Sequence, residues 1–201
     1  KNKQNEMDAI IHLSGENIST GSSPLNPMGI RPWTDAKKKE ILDSRVITTS
    51  ALAKSIAAGK KGLSFLVAGG VGAYGSKFIG KGVTPADEST DISNSDGFLA
   101  EVSRQWEAAS QEAKESGARV VNLRNGVVLS KKGGAMAKLY PIFLMGGGGI
   151  VGPGDQYFPY ISARDMARAM IHVLQTPALE GPVNMCAPGG CTNEEFTKAM
   201  G

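Results

Sequence analysis

The chain reads as an α/β protein of the doubly wound Rossmann type, with a mostly parallel sheet covered by helices on both faces. Three observations predict this. Apolar runs of strand length alternate with longer segments of helical periodicity, capping residues mark where the helices begin, and glycines gather between periodic segments at 69–75, 146–149 and 189–190. Strands separated by helices need crossover connections, which make the sheet parallel and bury both of its faces. The 201 residues, 41% hydrophobic and 20% charged, suffice for one such domain and argue against disorder.

Residues 1–6 are polar and unpatterned. Asp8 to Leu13 is a buried strand ending in Ser14, Gly15 and Glu16, a turn whose small residues let a ligand pack on the backbone. His12 in that run is expected to be a packed strand residue. Ser19 to Pro32, with serine, glycine and proline, is expected to be an exposed loop. Thr34 caps a long helix to about Ala58, with Ile41, Val46, Thr49, Leu52 and Ile56 as its apolar stripe and Gly59 as its stop.

Leu63 to Val67 is the next strand, and it opens into Gly69, Gly72 and Gly75. Their G-x-x-G-x-x-G spacing has the form of a dinucleotide pyrophosphate loop. That assignment fails, because such a loop needs a helix starting inside it to supply amide donors. Gly80, Gly82 and Pro85 follow instead, and no second strand ending in an acidic residue comes within about 20 residues. Leu63 to Gly75 is therefore read as a later strand of the sheet, with its carboxyl end toward a ligand.

After a polar loop with Pro85 and Asp87 to Asp91, Phe98 to about Glu115 reads as one helix, ended by Gly117, with Trp106 in the core. Ala118 to Leu123 is a third strand, continued by Arg124 to Leu129 across the carboxyl edge. Gly133 to Leu144 is a short helix, and Ile150 and Val151 form a short extended piece. Ser162 caps a helix to about Leu174, with Asp165 at its third position. Pro182 to Cys186 is a strand. Thr192 with Glu195 has the spacing of a capping box and opens a last helix.

Composition narrows the function. The net charge is +3, and the short runs Lys37–Lys39, Lys60–Lys61 and Lys131–Lys132 lack interleaved aromatics, so a solvated surface is expected rather than nucleic-acid binding. Cys186 and Cys191 are expected to be reduced thiols of an intracellular protein, in the cytoplasm or an organelle interior such as a plastid or mitochondrion. A metal site would need about four ligands, and no histidine lies near them. The uncharged stretch between Lys138 and Asp155 is broken by Pro141 and by the glycines from Gly146 onward, so no membrane span is expected.

An ordered set of segments then carries a resemblance. Ile11 to Ile18, Arg31 to Thr34, Lys39 to Arg45, Phe98 to Glu101 with Trp106 and Glu107, Leu123 to Leu129, Gly133 to Met136, Val183 and Asn184 with Ala187 and Pro188, and Thr192 to Phe196 together resemble the epimerase family of atypical extended short-chain dehydrogenases/reductases. The resemblance implies an NAD(P)-binding, NAD-dependent epimerase/dehydratase-like domain. Its first glycine-rich βαβ unit would lie upstream of Lys1 and a small C-terminal domain beyond Gly201, so the chain would be a fragment with an incomplete N-terminal end. Leu13, Ser14, Gly15 and Glu16 would flank the adenosine side of NADP or NAD. Val67, Ala68 and Gly69 would run beneath the nicotinamide ribose, and Arg124, Asn125, Gly126 and Val127 would border the nicotinamide. A homodimer is among the assemblies such a protein could form.

Typical extended members transfer protons with a serine or threonine, a tyrosine, and a lysine four residues later. The ammonium lowers the tyrosine pKa and holds the ribose. In this sequence the serine place falls at Gly69, Phe98 or Leu99 stands for the tyrosine, and Val102 or Ser103 stands for the lysine. None of these can move the proton. Tyr74, in the turn beyond the strand, is the replacement catalytic candidate. Glu101 and Arg104 are expected to form exposed ion pairs with neighbouring residues, Asp165 to serve its helix start, and Tyr157 to Tyr160 to line the substrate side. The expected substrate is a small carbonyl or sugar-like compound, and a non-catalytic dinucleotide sensor or scaffold is the alternative.

Overall fold

The computed structural model describes residues 7–18, 33–59, 62–76, 80 and 82–201. In chain order its elements are β1 (Ala9–His12), α1 (Asp35–Ala57), β2 (Ser64–Gly70), a 3-10 turn (Val71–Tyr74), α2 (Phe98–Ala108) and α3 (Gln111–Glu115). Then come β3 (Arg119–Asn125), β4 (Val127–Leu129), α4 (Gly134–Leu144), β5 (Tyr160–Ser162), α5 (Ala163–Gln175), β6 (Gly181–Met185) and α6 (Asn193–Met200). The expected loop from Ser19 to Pro32 lies outside the described residues.

Among the described residues the main sheet has the order β1-β2-β3-β6, with every pairing parallel. Successive side chains of a strand point to opposite faces, so a strand covered on both sides must be apolar throughout. The central strand β2 meets that demand. Phe65 and Val67 pack with Ala53 and Ile56 of α1, Trp106 of α2 and Ala113 of α3. Leu66 packs on the other side with Met166 and Val173 of α5 and with Val121, Leu123 and Met185. Complete burial of Phe65 stabilises the fold by about 2–3 kcal/mol. The doubly wound architecture expected from the sequence is the one observed.

The helix starts follow their capping residues. Thr34 accepts from the Lys37 amide, Ser162 from the Asp165 amide, and Thr192 and Glu195 close a reciprocal capping box. Within the stripe expected on α1, Ile41, Thr49 and Ile56 are buried. Trp106 is buried, with its indole N–H donating to Thr49 Oγ1 at 3.0 Å. His12 is buried at the end of β1, and its Nε2 is 3.2 Å from Thr48 Oγ1.

Three readings need correction. The helix expected from Phe98 to Glu115 is two helices, because the chain turns at Ala109 and at buried Ser110, whose hydroxyl donates to the Glu107 carbonyl. The third strand does not continue unbroken to Leu129. At Gly126 the chain passes so close to β5 that an added Cβ would lie 2.9 Å from the Pro159 carbonyl oxygen and 3.0 Å from Cys186 Sγ. Beyond it, β4 pairs in parallel with β5 in a separate two-stranded sheet, and β5 was not expected. Ile150 and Val151 form no strand, and the Val151 amide instead donates to Asn193 Oδ1 at 2.8 Å. The glycine turn expected after β2 is present and takes the form of a 3-10 turn that buries Ala73 and Tyr74.

Candidate functional site

Because β1, β2 and β3 are adjacent and parallel, the segments that follow them emerge at one edge of the sheet. Ligands of open α/β sheets bind at that edge. There the chain encloses a cleft of about 660 Å³. Asn17 and Ile18 after β1, Gly69 to Gly72 at the end of β2, and Asn125 to Val127 after β3 contribute to it. The helix α2 turns Leu99, Val102, Ser103 and Trp106 toward the cleft, α1 contributes Ile41 and Arg45, and α4 contributes Lys138 and Leu139.

Local sequence explains this shape. A side chain at Gly72 would come within 3.2 Å of Leu99 Cβ, so glycine there lets α2 close on the turn. Gly75 has φ +70°, and a Cβ would lie 2.6 Å from Asp96 Oδ1. That carboxylate accepts from the amide and hydroxyl of Ser76, which fastens the turn.

Of the residues expected at the cofactor, Gly69, Asn125, Gly126 and Val127 line the cleft. Leu13, Ser14, Gly15 and Glu16 form the turn after β1 outside its lining. Arg45 stands between, donating to the Glu16 carbonyl at 3.0 Å and to the Ile41 carbonyl at 2.9 Å, with its guanidinium 5.0 Å from the Trp106 ring. Burial pushes the Arg45 pKa below the usual arginine value. The Glu16 carboxylate is bonded to Lys37 at 2.7 Å, which holds its pKa down. Val67 and Ala68 are buried inside β2, and the Arg124 side chain is buried and bonded to Glu107 and Tyr74. Arg45 was missed, although it closes the Lys39 to Arg45 segment of the resemblance. The buried Oδ1 of Asn125 has no hydrogen-bond partner among the described residues.

The helix that would carry tyrosine and lysine presents Leu99 and Ser103 to the cleft, whereas Phe98 packs against Trp33 with centroids 5.3 Å apart. The Ser103 hydroxyl donates to the Leu99 carbonyl at 2.8 Å. Glu101 pairs with Arg104, whose guanidinium also donates to the Ser95 carbonyl at 2.6 Å. Asp165 serves its helix start and lies 3.5 Å from Arg168.

A second cavity of about 520 Å³ lies on the other side of Val71, which lines both. Tyr74, Asn184, Tyr157, Pro159 and the two cysteines line it. The Tyr74 hydroxyl donates to Asn184 Oδ1 at 2.7 Å and accepts from Arg124 Nη1 at 3.1 Å. Arg124 reaches Glu107 through Nε at 2.8 Å and Nη2 at 3.0 Å. Burial raises the Tyr74 pKa against the opposing pull of Arg124, so the phenol is neutral at pH 7. Burial also works against the Arg124 charge, but the bonds from Glu107 and Tyr74 outweigh it and its pKa lies above the usual value. Cys186 and Cys191 are free thiols whose pKa values burial raises. Among the described residues no His, Cys, Asp and Glu cluster could hold a metal, and no helix is long and apolar enough to cross a membrane.

The NAD dependent epimerase/dehydratase family model matches residues 2–186. The chain belongs to this family. Among family members, the epimerase family protein Mb2239 of Mycobacterium bovis is 38% identical over 199 residues, covering 98% of this chain and 60% of that one. Human epimerase family protein SDR39U1 is 35% identical over 195 residues, covering 96% and 62%. The crystal structure of human SDR39U1 (isoform 2) with NADPH superposes with TM-score 0.80 at 34% identity, covering 96% of this chain and 62% of that one. UDP-glucuronic acid 4-epimerase from Bacillus cereus, at 16% identity and TM-score 0.74, shares the fold. This family member therefore spans about three fifths of the length of the curated relatives it matches.

Proposed function

We propose that this epimerase/dehydratase family member binds NADP(H) or NAD(H) in the first cleft and acts as an oxidoreductase or epimerase on a small carbonyl or sugar-like substrate. The observation that carries this is the cleft itself, where three parallel strand ends meet over a glycine floor. The glycine backbone from Gly69 to Gly72 admits a flat ring, and Arg45 holds the turn after β1 in place. The bound nicotinamide would give or take the hydride. The protein's part is to orient it, to exclude water with the apolar face of Leu99, Val102 and Trp106, and to supply the proton from outside the Leu99 and Ser103 positions. NADPH in the SDR39U1 structure favours the phosphorylated dinucleotide.

The second reading is a non-catalytic dinucleotide sensor or scaffold, favoured by Leu99 and Ser103 standing where proton-transferring groups are expected. Fluorescence titration of the full-length protein with NADPH, followed by a carbonyl substrate panel, separates the two. Saturable binding with turnover supports the enzyme, binding without turnover the sensor, and absence of binding sinks both. Gly70 has extended φ −150°, and the nearest atom to an added Cβ is 3.9 Å away. Gly70→Leu should therefore fill the cleft without backbone strain and weaken NADPH by about tenfold or more.

A further inference from the structure

The second cavity contains a hydrogen-bond donor whose direction is set by a chain of buried contacts. Asn184 and Arg124 are register partners on β6 and β3, so their side chains stand side by side on one face of the sheet. Arg124, held by Glu107, donates to the Tyr74 oxygen, and the Tyr74 hydroxyl donates to Asn184 Oδ1. The Asn184 amide faces Tyr74 with its oxygen, the orientation that gives the phenol proton an acceptor while the phenol oxygen accepts from Arg124. The backbone amide of Asn184 donates separately to Glu88 Oε1 at 2.8 Å. What is left is Nδ2, whose two N–H groups meet no acceptor among the described residues, on a half-buried residue lining the cavity.

The rest of the described lining is uncharged, with apolar surface from Val71, Pro85, Ala86, Pro159 and Ala187. A cavity of about 520 Å³ with few polar groups on apolar walls is of the kind that holds a small molecule. We infer that this second cavity is the binding chamber for a neutral, compact carbonyl or hydroxyl compound, whose oxygen accepts from Asn184 Nδ2. Tyr74 is then a positioning residue that aims the amide. The inference rests on the first cleft being the cofactor site, with Val71 as the wall the two share.

Cyclohexanone labelled with carbon-13 at its carbonyl serves as the probe, titrated into the full-length protein by NMR with NADPH affinity and melting temperature measured in parallel. The bound carbonyl resonance should move downfield, as for a hydrogen-bonded ketone. Asn184→Asp, which keeps an acceptor for Tyr74 but lacks the amide donors, should weaken the probe by about fivefold and return the resonance toward its free position. Tyr74→Phe leaves Asn184 in place, so it reads the positioning role even if Asn184→Asp fails to fold, and it should reduce the shift. A purely structural role would lower the melting temperature and leave the carbonyl shift alone. Failure of the probe to bind, or an unchanged shift in both variants, overturns the inference. A probe shift that responds to Asn184→Asp while NADPH does not bind upholds the donor and overturns the cofactor reading instead.

Discussion

Arg119 and Arg124 stand at opposite ends of β3 and, by the alternation of a strand, on opposite faces of the sheet. Arg119 turns toward α5, where its Nη1 donates to the carbonyls of Val173 at 3.0 Å and Leu179 at 2.8 Å, and its Nη2 to that of Leu174 at 3.3 Å. It binds carbonyls at the end of α5, where the Thr176 amide also donates to that of Val173. Arg124 turns toward α2, is only 3% exposed, and meets a carboxylate and a phenol. Of these, Tyr74 lines the second cavity and bonds in turn to Asn184, which lines it too. One residue type on one strand thus secures the helix layer at the amino end and organises a cavity at the carboxyl end, which is where ligands of this fold bind.

The sharpest way to break this contrast is Glu107→Ala, which leaves the buried Arg124 charge without its carboxylate. It should cost about 4 kcal/mol in chemical denaturation, and a loss below that of Arg119→Ala would contradict the distinction. Arg119→Ala comes next. Losing its bonds to the end of α5 should cost about 2 kcal/mol with NADPH affinity in the full-length protein unchanged, and a fall in that affinity would show that the amino end reaches the cleft.

The smallest effect concerns pH at the neighbouring carboxyl end of β1. Burial holds the His12 pKa below 6.5. A lowered folded pKa means that the neutral ring stabilises the fold above 6.5 and that this contribution is lost as pH falls from there toward the folded value. The denaturation midpoint should therefore drop between pH 7 and pH 5, and His12→Gln should drop less. Equal drops would show that other groups carry the change.

Legibility differed with distance along the chain. The helix starts at Thr34, Ser162 and Thr192 were readable because a cap and its target amide lie three residues apart. Strand β2 was readable because both faces are buried and the run is apolar throughout. The three-residue strand β5 was not, since it exists only by pairing with β4. Leu13 to Glu16 and Gly69 were both recognised as strand ends, yet only Gly69 lines the cleft, because Arg45 comes in from α1 beside the first turn.

The sequence by itself determined the alternation of strands and helices, their starts, the parallel sheet and the edge at which small residues collect, since propensity, capping and periodicity act over a few residues. Only the tertiary structure decided the breaks at Gly126 and Ser110 and the division of the edge into two cavities. It alone also decided the meeting of Tyr74, Glu107, Arg124 and Asn184. Those depend on which backbones pass within contact distance and on which buried donor finds which acceptor, and such pairings form between residues up to 110 positions apart.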